Sequence, residues 1–201
     1  MKILCLGGGP AGLYFAISMK LRDPSHDVTV LERNKANDTF GWGVVLSDDA
    51  LGRMQRNDPK STDTIRSHFS YWDDIAVVRG TERSVSGGHG FAGIGRKQML
   101  IILQARAREL GVKMQFEAEF KTAEEYRTEY DLVVATDGIN SLVRREYADV
   151  FKPDIDQRLV KFVWLGTHQK FDDAFTFIFE KTEWGWFWAH VYQFDDNTAT
   201  F

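Results

Sequence analysis

The opening stretch of the chain constrains its fold more strongly than any other feature. Residues 2–12 read Lys-Ile-Leu-Cys-Leu-Gly-Gly-Gly-Pro-Ala-Gly, so an apolar segment leads through glycines into a helical segment. Gly7, Gly9 and Gly12 have the G-x-G-x-x-G spacing. A second apolar run ends at the acidic residue Glu32, twenty positions beyond the last of these glycines. The pattern predicts a strand–helix–strand unit whose glycine turn binds a dinucleotide.

Each residue type in this pattern has a physical reason. Gly7 permits a tight turn, Gly9 lets the backbone approach a pyrophosphate, and Gly12 lets the helix pack close to the strand. Pro10 suits the first helical turn, whose free N–H groups and positive dipole end attract anions. Glu32 would accept hydrogen bonds from a ribose and repel a 2′-phosphate, which favours FAD or NAD over NADP. The alternative is a glycine turn that binds nothing.

Composition and charge narrow the class of protein. The chain has 201 residues and 43% hydrophobic content, enough for one large domain or two small ones. No apolar run has the length of a membrane span and no signal peptide is evident, so we expect a soluble, cytoplasmic protein. The net charge of −4 argues against nucleic-acid binding, and five scattered histidines argue against a zinc site. The single cysteine, Cys5, is predicted to be a buried, inert thiol.

The first part of the chain reads as a βαβ unit followed by an irregular segment. Apolar spacing predicts strand 2–6, a helix from about Pro10 to Arg22, and strand 27–32. A glycine-rich run at residues 40–47 departs from the third βα pair of a plain NAD dehydrogenase and favours a flavin fold. Ser47 is predicted to cap a short helix that Pro59 ends.

The middle of the chain predicts a second group of strands and then a return to the first sheet. Residues 70–95 indicate strands and turns, with a polar, glycine-rich segment from Ser84 to Gly95. A helix is predicted from Arg96 to Leu110, with Gly111 as its cap. Further predicted elements are a strand at 112–116 and a buried parallel strand at 130–135 that ends in Thr136-Asp137-Gly138.

Alternating apolar residues from Val160 onwards predict antiparallel strands. The predicted strands are Val160–Leu165, Phe175–Phe179 and 184–194, with turns at 183–185 and 195–197. Aromatic side chains and histidines in this region would line a pocket or, as the more common arrangement in a strand, form core. These residues are Trp164, His168, Trp186, Trp188 and His190.

A second motif makes a family resemblance specific. Besides the opening glycines and Arg96, the chain contains Asp137-Gly138-Ile139-Asn140-Ser141-Leu142-Val143-Arg144, which has the form D-G-x-x-S-x-V-R. These features resemble the FAD-dependent aromatic hydroxylases, the flavoprotein monooxygenases related to p-hydroxybenzoate hydroxylase. Within that family, residues 41–47 and 162–167 resemble most closely the salicylyl-CoA and 2-aminobenzoyl-CoA monooxygenases and the tryptophan-type hydroxylase of violacein synthesis.

The chain departs from the family pattern in two places. Thr136 stands where the family usually has a small residue, and the family's third motif, a Gly-Asp pair, is not reached before residue 201. Residues 198–201 begin a strand that stops, which would leave an unpaired edge. We therefore expect the chain to be the N-terminal part of a longer enzyme.

The resemblance implies roles for particular residues and no catalytic acid or base, because the flavin carries the oxygen chemistry. The alternative interpretation of Arg96 is an ordinary solvated residue at a helix start, where a positive charge interacts mildly unfavourably with the helix dipole. Asp137 has the alternative of a turn or cap after a strand. The residues implied to bind FAD are Gly7, Gly9, Pro10, Ala11 and Gly12 at the pyrophosphate, Glu32 at the adenosine ribose, Arg33 over the adenine end, Arg96 on the flavin side, and Asp137 with Gly138 near the pyrophosphate.

The implied activity is hydroxylation of an aromatic ring by O₂, with FAD as cofactor and NADH or NADPH as co-substrate. The first-choice substrate is an aryl-CoA thioester, and the second is a free aromatic or indole compound. Two alternatives stay open: an FAD-dependent reductase or dehydrogenase of the same fold, and a non-catalytic FAD-binding fragment. Expected partners are a small aromatic substrate and a second copy in a homodimer, with neither nucleic acid nor a membrane.

The predicted fold class is α/β. It combines a Rossmann-like FAD-binding domain, built on a parallel sheet, with an incomplete and mostly antiparallel sheet of a substrate domain. Residues 1–70 and 96–150 are assigned to the FAD-binding domain, and residues 71–95 and 151–201 to the substrate domain.

Overall fold

The protein forms two compact units, each with its own sheet structure. The computed structural model describes residues 1–36, 38–171 and 174–201. The functional domains assigned from the sequence remain predictions, because the units are defined by packing and not by ligands. Unit 1 comprises Met1–Asp38 and Leu100–Lys161, and unit 2 comprises Thr39–Met99 and Phe162–Phe201.

Helices and strands alternate along much of the chain. The helices are α1 (Pro10–Arg22), α2 (Asp48–Asn57), α3 (Pro59–Arg66), α4 (Arg96–Glu109), α5 (Leu142–Glu146) and α6 (Ala148–Phe151), with a 3₁₀ helix at Ala123–Tyr126. The strands are β1 (Lys2–Leu6), β2 (Asp27–Leu31), β3 (Gly43–Ser47), β4 (Ser70–Trp72), β5 (Asp74–Arg79), β6 (Glu82–Ser86), β7 (Phe91–Gly95), β8 (Lys113–Gln115), β9 (Leu132–Ala135), β10 (Gly166–Thr167), β11 (Ala174–Thr182), β12 (Gly185–Gln193) and β13 (Ala199–Thr200).

Unit 1 is built on a four-stranded parallel sheet in the order β8-β2-β1-β9. Ile3 of β1 pairs with Val28 on one side and with Leu132 on the other. Residues 3–6 of this interior strand are fully buried, as expected for a parallel strand covered on both faces. The predicted βαβ unit is therefore confirmed.

Helix α1 has the predicted bounds. Pro10 occupies its first turn, and the helix ends at Arg22 because Asp23, which precedes Pro24, has extended backbone angles (φ −150°, ψ 106°). Leu13 and Ile17 are buried, at the helical spacing of four residues. The local pattern and the packing thus agree for this element.

Unit 2 contains a six-stranded sheet and a three-stranded sheet. The larger sheet has the order β10-β13-β12-β11-β5-β6, and the smaller one the order β3-β7-β4. The long hairpin of β11 and β12 is antiparallel, as predicted, but β11 pairs in parallel with β5. Trp72, Tyr192 and Phe194 form a buried aromatic cluster, and the Tyr192 hydroxyl donates to the Gly43 carbonyl at 2.8 Å.

The start of unit 2 contains one helix that the sequence did not predict. Ser47 does cap α2, because its hydroxyl accepts a bond from the Ala50 N–H at 3.3 Å. Pro59, however, also begins α3, a helix that the sequence reading missed, since proline suits a first helical turn. The polar segment from Ser84 to Gly95 lies within the predicted group of strands and turns, and it contains the end of β6 and all of β7.

Two strand predictions were wrong in extent or burial. Residues 160–165 form no strand, and Val160 and Phe162 are 84% and 86% exposed. The alternation was present there, but among the described residues of this segment only Leu165 is paired, through two backbone hydrogen bonds of 2.9 Å with Phe201. Strand β9 is shorter than predicted, and its residues are half-buried or exposed because it is the edge strand of the described sheet.

The prediction that the aromatic stripe forms core was wrong for the tip of the β11–β12 hairpin. Trp186 and Trp188 are 57% and 68% exposed, and His190 is exposed as well. Core begins only at Val191 and Tyr192, near the other end of β12.

In the described part of the chain, no helix combines the length and apolar character that crossing a membrane requires.

Cys5 provides a test of the unit 1 core. Its thiol is fully buried in β1, and burial raises the pKa of Cys5 to about 12. An unfolded cysteine has a pKa of about 8.5, and only the thiolate reacts, so folding should suppress reactivity at pH 8. We expect Ellman's reagent to modify the folded chain at least ~100-fold more slowly than the chain in urea. Rapid modification without urea would contradict the buried position.

Candidate functional site

The predicted dinucleotide residues of unit 1 follow the carboxyl ends of neighbouring parallel strands. Gly7 follows β1, Glu32 follows β2, and Thr136 follows β9. The carboxyl edge of a parallel sheet is where open α/β folds bind ligands. The structure therefore brings together residues that are more than one hundred positions apart in the sequence.

The glycine turn is packed so closely that Gly7 and Gly12 have no room for a side chain beside the neighbouring backbone. Gly7 has φ +115°, and a Cβ there would overlap the Thr136 carbonyl oxygen. A Cβ at Gly12 would overlap the Gly7 carbonyl oxygen and lie 2.6 Å from the Thr136 hydroxyl. Gly9 differs, because a Cβ there would meet nothing within 4 Å. Gly9 thus presents open backbone, as the approach of a phosphate group requires.

The start of helix α1 has the properties of an anion site. Gly9 is the N-cap, with φ −71° and ψ 179°, and no side chain caps the helix. The first turn contains no acidic residue, and Ala11 within it is exposed. The helical bond from the Leu13 N–H to the Gly9 carbonyl is 3.0 Å long, and the N–H groups before it have no partner within a helix. These groups and the helix dipole suit a pyrophosphate.

The Glu32 carboxylate lies beside this turn and is held in place by it. Oε2 accepts a hydrogen bond from the Gly8 N–H at 2.8 Å. Oε1 accepts bonds from the backbone N–H and the side-chain amide of Asn34, each at 2.8 Å. A carboxylate has about four acceptor positions, so three protein donors leave capacity for a ribose hydroxyl. Sequence reasoning missed Asn34, whose only signal is its place two residues after Glu32.

The remaining predicted residues have different surroundings. Arg33 is exposed, and Gly138 has φ +81°. An Asp137 oxygen accepts bonds from the Leu142 N–H at 2.7 Å and the Val143 N–H at 3.4 Å, so this carboxylate caps α5. Its role as a cap is therefore present in the structure, and its role toward a cofactor stays a prediction.

Arg96 belongs to unit 2 and is described within that unit. It is half-buried at the first position of α4, and its backbone N–H donates to the Trp42 carbonyl at 2.7 Å. Its Nε donates to the Thr39 hydroxyl at 3.1 Å. These contacts fix the guanidinium at the helix start, and its role toward the flavin stays a prediction.

The aromatic residues proposed for a pocket do not line the cavity that unit 2 forms beside β4 and β7. That cavity has a volume of about 450 Å³ and is lined by Asp48, Tyr71, Trp72, Asp73, Asp74, Gly90 and Phe91. Trp164, Trp186 and Trp188 are not among these residues. No group of three side chains suited to a metal ion occurs among the residues that the structure describes.

Known proteins that match this chain along its length are hydroxylases and monooxygenases. No family model matches. The chain is 42% identical over 201 residues to a salicyloyl-CoA 5-hydroxylase of a Streptomyces species. It is 31% identical over 204 residues to protodeoxyviolaceinate monooxygenase of Chromobacterium violaceum. Its identity to 3-hydroxy-4-methyl-anthranilyl-(aryl-carrier protein) 5-monooxygenase of Streptosporangium sibiricum is 29% over 201 residues.

The chain covers only part of each relative. It matches along 100% of its own length but spans 38%, 54% and 56% of these three proteins. The resemblance to aromatic hydroxylases that the sequence motifs predicted is confirmed by these relatives.

Solved structures show the fold. A 2-methyl-3-hydroxypyridine-5-carboxylic acid oxygenase has a TM-score of 0.80 at 21% identity, over 99% of this chain and 57% of that one. PqsL, a probable FAD-dependent monooxygenase from Pseudomonas aeruginosa, has a TM-score of 0.71 at 17% identity, over 100% and 59% of the two chains. A p-nitrophenol 4-monooxygenase from Pseudomonas putida has a TM-score of 0.74 at 18% identity, over 98% and 56%. The predicted fold class is confirmed.

The different packing at Gly12 and Gly9 leads to a matched test of stability. Gly12→Ala forces a methyl group onto backbone, so we expect it to lower the free energy of unfolding by about 1–3 kcal/mol or more. Gly9→Ala should stay within about 0.5 kcal/mol of wild type, because a weaker N-cap is offset by lower entropy of the unfolded chain. Urea unfolding followed by circular dichroism measures both. Equal costs for the two variants would contradict the packing described.

Proposed function

We propose that this chain carries the FAD-binding part of a flavin-dependent aromatic monooxygenase. Its relatives match it along its whole length, and they are named as hydroxylases and monooxygenases. The observation that carries the proposal is the arrangement at the carboxyl edge of the unit 1 sheet. There, the open backbone at Gly9, the uncapped start of α1 and the Glu32 carboxylate lie around one turn. The open backbone and the helix start suit the diphosphate of an adenosine diphosphate group, and the carboxylate suits its ribose.

In this proposal, each residue of the turn has a defined task. Pro10, Ala11 and the neighbouring amides of α1 face the pyrophosphate, while Gly7 and Gly12 allow the helix to approach the strands. The Glu32 carboxylate orients the adenosine ribose, and Arg33 lies at the adenine end. Arg96, Asp137 and Gly138 act toward the flavin and pyrophosphate, as the family resemblance implies. The bound flavin supplies the oxygen chemistry, and the protein supplies binding and exclusion of water.

The proposed substrate is an aryl-CoA thioester. The relative at 42% identity is named for salicyloyl-CoA, and this supports a thioester over a free aromatic or indole compound. NADH or NADPH is the proposed electron donor. A homodimer is the proposed assembly, and a tetrameric form is recorded for one solved neighbour.

Cofactor binding can be tested on the chain itself. We expect the purified chain, with or without added FAD, to be yellow and to show flavin absorbance bands. Gly9→Ala should weaken FAD binding at least ~10-fold, because the added methyl group fills the face that the pyrophosphate approaches. The matched control is Gly52→Ala in α2, where a Cβ lies 3.7 Å from its nearest neighbour, the Arg56 side chain. A colourless chain that also refuses added FAD would overturn the proposal.

Oxygen insertion can be separated from simple reduction. The FAD-loaded chain is supplied with NADH, O₂ and salicyloyl-CoA, and both NADH consumption and the mass of the thioester are followed. A monooxygenase adds one oxygen atom to the ring as NADH is consumed. NADH consumption with an unchanged thioester supports the reductase alternative for the chain. If neither NADH nor the thioester changes, the result supports a non-catalytic FAD-binding fragment.

A further inference from the structure

We propose that Thr136 is a positioning residue for the glycine turn, and that its hydroxyl fixes the Gly7–Gly8 peptide in the orientation that presents the turn to a pyrophosphate. The part of the inference that concerns the cofactor rests on the proposed function. Thr136 touches no cofactor in this proposal: it acts through the backbone of the turn.

The Thr136 hydroxyl lies between two carbonyl oxygens of the turn. Its Oγ1 is 2.9 Å from the Gly7 oxygen and 3.1 Å from the Leu6 oxygen, and its single proton is shared between these two acceptors. The Thr136 backbone N–H also donates to the Leu6 oxygen, at 2.8 Å. The end of β9 is thereby bonded to the end of β1 through both backbone and side chain.

The opposite side of the same peptide is held by Glu32. The Gly8 N–H donates to Glu32 Oε2 at 2.8 Å, while the Gly7 carbonyl accepts from Thr136. A peptide group is planar, so holding its C=O and its N–H at the same time sets the orientation of the whole group. Asn34 in turn holds the other oxygen of Glu32. These hydrogen bonds therefore connect the Gly7–Gly8 peptide to the end of β9 through Thr136 and to the end of β2 through Glu32.

The contact between Thr136 and Gly7 is closely covered by Gly12. Gly12 lies against both the Gly7 oxygen and Thr136 Oγ1, which leaves no space for a side chain at residue 12. Gly7 has a positive φ, and a glycine turn has many accessible conformations unless it is held. The hydroxyl limits this freedom before any ligand arrives, and such preorganisation favours binding.

The test compares Thr136→Val, which removes the hydroxyl and keeps the shape, with Thr136→Ser, which keeps the hydroxyl. Thr29→Val is the matched control, since Thr29 is also a threonine of the unit 1 sheet and is buried within β2. Titration with FAD gives the affinity, and hydrogen exchange without FAD gives the protection of the turn amides. Urea unfolding of each variant reports the stability of the fold separately.

We expect Thr136→Val to weaken FAD binding ~5-fold, as the loss of one hydrogen bond predicts, and to speed exchange at the Gly8 amide. The Thr136 amide, which bonds to the Leu6 oxygen, should stay protected. Thr136→Ser and Thr29→Val should bind FAD within ~2-fold of wild type.

Unchanged FAD affinity in Thr136→Val would overturn the inference and leave the proposed function standing. Faster exchange throughout β1 and β9, instead of at the turn, would also overturn it, because it would indicate a general structural role. If the wild-type chain does not bind FAD, the proposed function fails, and the part of the inference that concerns the cofactor fails with it. Unchanged exchange at the Gly8 amide in Thr136→Val would overturn the part that concerns the turn.

Discussion

Unit 1 depends on the close approach of three backbone segments at one edge of its sheet. The end of β1, the first turn of α1 and the end of β9 meet at Gly7, Gly12 and Thr136, where a Cβ on either glycine would overlap its neighbours. This contact lets α1 lie against the sheet and bury Leu13 and Ile17. The interior strand β1 is covered by the same packing, so its apolar run forms the centre of the core.

The electrostatic character of the candidate site follows from the same packing. Helix α1 begins at the edge of the sheet without a side-chain cap and without acidic residues in its first turn. The Glu32 carboxylate is turned toward the Gly8 N–H and Asn34 and accepts their hydrogen bonds. Positive dipole and negative charge are thus placed at separate ends of one turn, an arrangement that fits a pyrophosphate and a ribose.

Unit 2 shows how an aromatic strand can continue beyond its core. Buried Tyr192 stacks with Trp72 at 5.8 Å between ring centroids, near the base of the hairpin. Farther along, Trp188 lies 5.4 Å from the His190 ring and yet is 68% exposed. Ring contacts along one strand therefore do not by themselves remove the side chains from solvent, and exposed aromatic residues of this kind are often found at interaction surfaces.

The sequence by itself determined the elements whose signals are local. Glycine spacing, apolar periodicity and the proline after Arg22 were enough to predict β1, α1 and β2, and with them the place of Glu32. These features depend on the backbone needs of a few consecutive residues. The alternation at residues 160–165 was equally clear, but of its described residues only Leu165 has a paired backbone, with Phe201, so the pattern alone did not produce a strand.

Only the tertiary structure decided which distant residues meet. Thr136 lies well over one hundred positions from Gly7 in the sequence, and its hydroxyl acquires a role only because β9 pairs in parallel with β1. The cap that Asp137 forms on α5 and the exposure of Trp186 depend likewise on how neighbouring segments pack. Side-chain hydrogen bonds and burial are properties of the assembled fold, because each needs partners that the local sequence does not contain.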